Sequence, residues 1–172
     1  MATHRFLLFL SIFFFVFSVH TVAQQSNHSD VRFLGNPSVS SNGDIVFTYD
    51  TDLWSVPKSG GLAVRLTSMD GEETNPSISP DGNWIAFSSN QYGNNDVYIM
   101  PATGGEITQL TFHQADDKVE SWSWDSKKIY FTSNRYNRIS AFLINPKGGT
   151  PSRLFGHYHN NVHNLSEHPS SG

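Results

Sequence analysis

The stretch N-P-S-I-S-P-D-G-N-W-I-A-F-S-S-N (Asn75 to Asn90), followed by D-V-Y-I-M (Asp96 to Met100) and G-G-E-I-T-Q-L-T (Gly104 to Thr111), decides the fold, because its pattern occurs three times in the chain. Glycine pairs fall at Gly60-Gly61, Gly104-Gly105 and Gly148-Gly149, 44 residues apart each time. Five residues after each pair stands a leucine: Leu66, Leu110, Leu154. Six residues before each pair stands an aromatic: Trp54, Tyr98, Phe142. Upstream lie I-V-F-T (Ile45 to Thr48), I-A-F-S (Ile85 to Ser88) and I-Y-F-T (Ile129 to Thr132). Ahead of those come V-S-S-N-G (Val39 to Gly43), I-S-P-D-G (Ile78 to Gly82) and W-S-W-D-S (Trp122 to Ser126). So many columns in register identify an internal repeat, which takes precedence over any local reading.

Each repeat reads as four short strands. Asn42-Gly43 and Asp81-Gly82 are two-residue hairpin signals, since glycine and Asn or Asp tolerate positive φ. Asp125-Ser126 lacks the glycine, which predicts a looser third turn. The second strand alternates Ile and Phe on one face and is rich in β-branched and aromatic residues. A polar tip follows (Asp50 to Asp52, Gln91 to Asn95, Arg135 to Arg138), then a third strand, L-W-S-V, V-Y-I-M or A-F-L-I. Pro57, Pro101 and Pro146 stand where ladder pairing should stop. The glycine pair turns the chain into a fourth strand, R-L-T, Q-L-T or R-L-F. No segment shows a helical period.

Four strands in 40 to 45 residues make a propeller blade. A single blade cannot bury both of its faces, so blades stack around a channel. The fold class is therefore all-β: a β-propeller of three four-stranded blades plus the start of a fourth, an incomplete ring. The blades span about 33–67, 73–111 and 118–155, within a propeller region 32–172, and residues 161–172 read as the first strand and hairpin of the next. Propellers close with about 4 to 8 blades, so the chain reads as the N-terminal part of a longer protein. The competing reading is a short protein that closes by association of two chains, a homo-oligomer. Alone, the chain is expected to be poorly soluble or to self-associate, because strand edges and an apolar blade face lie open.

His4 and Arg5 precede an apolar run, Phe6 to Val19, and His20-Thr21-Val22-Ala23 places small residues before a cut at Ala23. Residues 1–23 have the layout of a secretory signal peptide, and 24–31 form a polar linker. The rival, a membrane anchor, needs about 20 apolar residues, and the run holds 14. The expected location is exported, periplasmic or extracellular, with no membrane attachment after signal removal. The chain has no cysteine, which excludes disulfides and thiol nucleophiles. Its net charge of −4 gives no basic patch for nucleic acid or an anionic membrane.

The repeat resembles that of the TolB propeller and its relatives. Two stretches narrow the resemblance to the tricorn-type peptidases. F-L-G-N-P-S-V-S-S-N-G-D-I-V-F-T-Y-D-T-D-L-W (Phe33 to Trp54) is similar to their opening blade, and G-G-T-P-S-R-L-F-G-H-Y-H-N-N-V-H-N-L-S-E-H-P (Gly148 to Pro169) to the junction of their third and fourth blades. In that family an N-terminal propeller precedes a second propeller, a PDZ-like domain and a serine-peptidase core, and the propellers are thought to steer peptides to the catalytic chamber. The family's catalytic residues have no matching position here. The resemblance implies a non-catalytic propeller segment of an exported serine peptidase (a hydrolase), acting on peptides or unfolded polypeptide. The alternatives are a TolB-like protein-binding propeller without enzymatic activity and the propeller cap of a prolyl-oligopeptidase-type enzyme.

Within the chain no chemistry-bearing motif occurs: no G-x-S-x-G, H-E-x-x-H, G-x-x-x-x-G-K-[ST] or G-x-G-x-x-G. No catalytic, cofactor-binding or metal residue is assigned. His157, His159, His163 and His168, with Glu167, form the nearest thing to a ligand set, but a polar connection between blades explains them. Asp116, Asp117, Lys118 and Glu120, and likewise Asp70, Glu72 and Glu73, lack the spacing of a calcium loop and read as solvated connections. Trp122 falls in the packing column of Val39 and Ile78 and is expected in the core, while Trp124, in place of Pro80, is open between core and ligand groove. Asn27-His28-Ser29 and Asn164-Leu165-Ser166 match the glycosylation sequon.

Overall fold

The computed structural model describes residues 34–136, 138–155 and 165–166. The signal segment, the linker, the start of a fourth blade, the histidine cluster and both sequon asparagines lie outside these residues.

Among the described residues, twelve strands form three antiparallel sheets of four. The first sheet holds β1 (Gly35–Val39), β2 (Ile45–Tyr49), β3 (Asp52–Val56) and β4 (Val64–Arg65). The second holds β5 (Glu73–Ile78), β6 (Trp84–Ser89), β7 (Asp96–Pro101) and β8 (Thr108–Gln109). The third holds β9 (Asp117–Trp122), β10 (Ile129–Ser133), β11 (Ser140–Ile144) and β12 (Ser152–Arg153). Each sheet is a simple meander in sequence order. The described residues thus form three propeller blades, and the ring is not closed.

Strand alternation places the core between blades. Ile85 and Phe87 of β6, with Tyr98 and Met100 of β7, pack against Val46 and Leu53 of the first blade. The opposite face of the same two strands, Ala86, Val97 and Ile99, packs against Val119, Trp122, Ile129, Phe131, Phe142 and Ile144 of the third blade. The middle blade is therefore apolar on both faces, and each fully buried Leu, Ile or Phe contributes about 1.5–3 kcal/mol. The aromatic column meets the second-strand phenylalanines in register, Phe87 with Tyr98 and Phe131 with Phe142. Their rings stack at 5.7 and 5.5 Å. Val39, whose repeat partners Ile78 and Trp122 lean on a preceding blade, is 64% exposed against 5% for Trp122.

Three local features differ from the sequence expectation. The hairpins at Gly43 and Gly82 are not two-residue primed turns. Gly82 N donates to Ser79 O at 2.8 Å and Gly43 N to Ser40 O at 2.9 Å, each closing a four-residue turn. Only the glycine takes positive φ, 92° at Gly43 and 74° at Gly82. Asn42 and Asp81 do not need it, because their side chains cap the turn: Asp81 Oδ1 accepts the Ser79 hydroxyl at 2.5 Å and Asn83 N–H at 3.1 Å. The third turn is not looser either. Ser126 takes φ 58° in place of the glycine, and Asp125 accepts the same two bonds, from Ser123 and Lys127 N–H. Lastly, the fourth strands begin one residue earlier than R-L-T predicts. The leucine column still joins the ladder: Leu66, Leu110 and Leu154 donate to Leu53, Val97 and Ala141 carbonyls at 2.7 to 2.9 Å.

The Gly82 turn supplies a direct test. A Cβ there would meet only Ser41 Oγ, 3.9 Å away, so the cost of Gly82→Ala is backbone conformation alone. A loss of about 1–2 kcal/mol is expected in urea unfolding; no loss would show that the turn does not hold its left-handed glycine.

The first strand of every blade carries a bulge, between Gly35 and Ser38, Thr74 and Ser77, and opposite Tyr130 and Phe131. In the first two blades it is built by Asn-Pro. Asn36 and Asn75 take φ 47° and 52°, which asparagine tolerates, and the proline removes an amide that the ladder cannot use.

Candidate functional site

The turns that join first and second strands, and the turns that join third and fourth, share one end of the blades. There the first-to-second turns of all three blades enclose an open groove. One hollow of about 680 Å³ is lined by Val39, Ser40, Ser41, Ile78, Ser79, Pro80, Asp81, Trp124, Asp125 and Ser126. A second, of about 400 Å³, shares Ser40, Ser41, Ile78 and Asp81 with it and continues along Asp44, Val46, Val56, Pro57 and Ala102. Together they have the size of a ligand cleft.

The groove combines an apolar floor with acid at its rim. Trp124 is 63% exposed, which settles the open question about it: it lines the groove, while Trp122 is in the core and donates its indole N–H to Ser77 O at 2.8 Å. The Ser79 hydroxyl and the Asn83 amide hold the Asp81 carboxyl below the usual carboxylate range. Ser123 and the Lys127 amide hold the Asp125 carboxyl down at about 2. Both are thus charged at neutral pH. Lys127 Nζ lies 3.2 Å from Asp125 Oδ2 with both side chains exposed, a pair of small value. Asp81 N–H donates to Ser126 Oγ at 3.1 Å and ties two turns together.

The opposite end carries the tips between second and third strands and the connections between blades. Here the expectation of solvated acids is overturned for two residues. Glu73 and Asp117 are fully buried, because the connection dives between blades. Their backbones join the preceding blade, Glu73 N to Thr51 O at 2.8 Å and Asp117 N to Asn95 O at 2.7 Å. Glu73 accepts the Thr67 hydroxyl at 2.8 Å and the Ser89 hydroxyl at 3.4 Å. Asp117 accepts from Arg135 Nη2 at 2.9 and 2.7 Å on its two oxygens. Asp70, Glu72 and Lys118 are exposed, and Asp116 and Glu120 are half-buried.

The two junctions differ at three repeat positions: Arg65/Gln109, Glu73/Asp117 and Gln91/Arg135. Arg135 occupies the repeat position of Gln91. Glu73 therefore has no cation against it, and burial, with Asp52 nearby, pushes its carboxyl up to about 7. Asp96, buried beside Thr111 and facing Asp117, is pushed up to about 6. Glu73 and Asp117 were missed because they were read as loop residues, and Asp96 because it stood only as the start of a strand. The 44-residue column Asp52/Asp96, Thr67/Thr111, Glu73/Asp117 was available in the sequence and marks them as junction positions. Among the described residues no group of three His, Cys, Asp or Glu is placed to hold a metal ion, and no helix is long and apolar enough to cross a membrane.

A four-stranded meander repeated every 44 residues, with its core between sheets and its turns gathered round a groove, defines the propeller class. Comparison with known proteins adds the family. The model of the tricorn protease N-terminal β-propeller domain matches residues 31–168, and the chain belongs to that family. A TolB homologue of Chlorobium luteolum is 38% identical over 63 residues, 34% of this chain and 14% of that protein. The crystal structure of the tricorn protease superposes with TM-score 0.61 at 20% identity, over 71% of this chain and 13% of that one. TolB from Acinetobacter baumannii gives 0.59 at 22% identity, over 70% and 32%. The chain thus spans 14% of the curated relative it matches and a third or less of these two structures.

Proposed function

We propose that this chain is the non-catalytic propeller segment of an exported tricorn-like serine peptidase, admitting and guiding peptide substrates. The observation that carries the reading is the family match across residues 31–168, nearly the whole region after the signal-like segment. The open groove of cleft size at one end of the blades supports it, since a guiding module needs surface rather than a nucleophile. In the parent enzyme an activated serine would transfer the acyl group, and that serine would lie outside this chain. The signal layout of residues 1–23 supports export.

The test uses the full-length gene product. Labelling with a serine-reactive fluorophosphonate should mark a band far above 19.2 kDa in the exported fraction. Deleting residues 33–155 should slow hydrolysis of decapeptides tenfold or more while sparing a small chromogenic ester. Equal loss on both substrates, or no labelled band, would sink the proposal. A TolB-like binding propeller is the second reading, favoured by the 38% identity with the Chlorobium luteolum TolB homologue. It expects no labelling and a stable protein complex in the exported fraction.

A further inference from the structure

The groove at the first-to-second turns has a chemical bias. Its described lining contains three carboxylates, Asp44, Asp81 and Asp125, and no lysine, arginine or histidine. All three are hydrogen-bonded by neighbours, and one is ion-paired. Asp44 accepts Lys58 N–H on Oδ1 and the Asn42 amide on Oδ2, and Asp125 pairs with Lys127. Asp81 accepts Ser79 and Asn83 N–H on Oδ1, and the Asn83 and Ser126 side chains add to its hydrogen bonds; all of these donors are neutral, and no ion pair engages it among the described residues. Asp81 also lies where the two hollows meet. Within the larger hollow stands the exposed indole of Trp124, with Pro80 and Ile78 forming apolar walls. A carboxylate without an ion-pair partner, an exposed aromatic ring and an apolar floor together complement a long cationic side chain, whose methylenes need apolar cover and whose head needs charge.

We infer that this groove selects basic segments of the guided peptide: an extended chain lays a lysine or arginine along Trp124 with its cation at Asp81 and its apolar neighbours against Ile78 and Pro80. The inference rests on the peptide-guiding reading and adds a preference to it. The occupant follows from charge complementarity, since an acidic segment would meet three carboxylates without a counter-charge in the lining.

The experiment compares two blocked octapeptides, identical except for lysine or glutamate at one central position, binding to the full-length protein by calorimetry. The lysine peptide is expected to bind about tenfold or more tightly at low salt, and the preference should shrink in 0.5 M salt, where the Debye length falls to a few ångströms. Asp81→Asn should weaken the lysine peptide about five- to tenfold and leave the glutamate peptide unchanged or tighter. The variant keeps its turn, because Asn42 already builds the same turn in the first blade: its Oδ1 accepts the Ser40 hydroxyl and the Asp44 N–H. Trp124→Ala should weaken the lysine peptide as well, and an unchanged circular dichroism melt would confirm that the blade is intact. Equal affinity for the two peptides, or an Asp81→Asn protein that binds as the parent does, overturns the inference and leaves peptide guidance standing. Failure of both peptides to bind overturns the two together.

Discussion

Replacing Arg135 by alanine is expected to lower the unfolding free energy by about 3–5 kcal/mol, the range for stripping the partner from a buried charge. Asp117 is fully buried and Arg135 nearly so, with side chains 0% and 11% exposed and a separation of 2.7 Å. The guanidinium also donates Nε–H to Ser133 Oγ at 2.8 Å and lies over Phe142, 4.5 Å from its centroid. Alanine removes all three contacts and leaves a carboxylate between two blades without its counter-charge. The double variant Arg135→Ala, Asp117→Asn tests the cause. If the unpaired charge dominates, the amide should restore roughly half or more of the loss, measured by urea unfolding at neutral pH. If the double variant is no more stable than Arg135→Ala, packing of the guanidinium on Phe142 is the larger part. A loss below about 1 kcal/mol would place the pair among ordinary surface bridges.

The second large effect is a pH dependence with an unusual sign. The Glu73 carboxyl titrates near 7 in the folded chain against 4.5 for the free group, so between these values the folded state holds more protons than the unfolded one. Stability is therefore fully present below about 4.5 and falls as pH rises through 7. Asp96, pushed up from 3.8 to about 6, acts in the same direction over its own window. At 1.36 kcal/mol per pH unit and proton, Glu73 contributes at most about 3 kcal/mol. Below pH 4 the carboxyls of Asp81, Asp116 and Asp125, all held down by hydrogen bonds, oppose the trend. Melting temperature should peak near pH 4 and decline as pH rises through about 7. Glu73→Gln should flatten most of that decline and match or exceed the parent at pH 8, where the parent carries a buried charge without a cation. A Glu73→Gln protein with the parent's slope would exclude Glu73 as the source.

The two junctions also show what could be read from the chain and what could not. Strand order, the aromatic column and the leucine column were legible because each is a packing position repeated every 44 residues, and side-chain period alone places it. The Trp122 expectation held for the same reason: its column packs on the preceding blade. The acids were not legible as loop residues, because burial of Glu73 and Asp117 follows from how the connection passes between blades, a tertiary fact. The turn type was misread because N-G and D-G favour primed two-residue turns in isolation, whereas here Ser40, Ser79 and Ser123 recruit the Asx side chain and lengthen the loop. The groove had only Trp124 as a hint. Its carboxylates sit in turns that were read for backbone conformation, from Gly43, Gly82 and the missing glycine at Ser126, rather than for charge.

The backbone bonds Glu73 N to Thr51 O and Asp117 N to Asn95 O have a consequence for how such a chain lengthens. Donor and acceptor lie 22 residues apart in both cases, half of the 44-residue period. A tandem copy of any 44-codon window, wherever its ends fall, reproduces one whole sheet and one whole seam. Growth by duplication thus never passes through an ancestor with a half-stitched boundary. What then diverges at each copied seam is the place of its arginine, on Asp52 from the fourth strand in one and on Asp117 from the tip in the next.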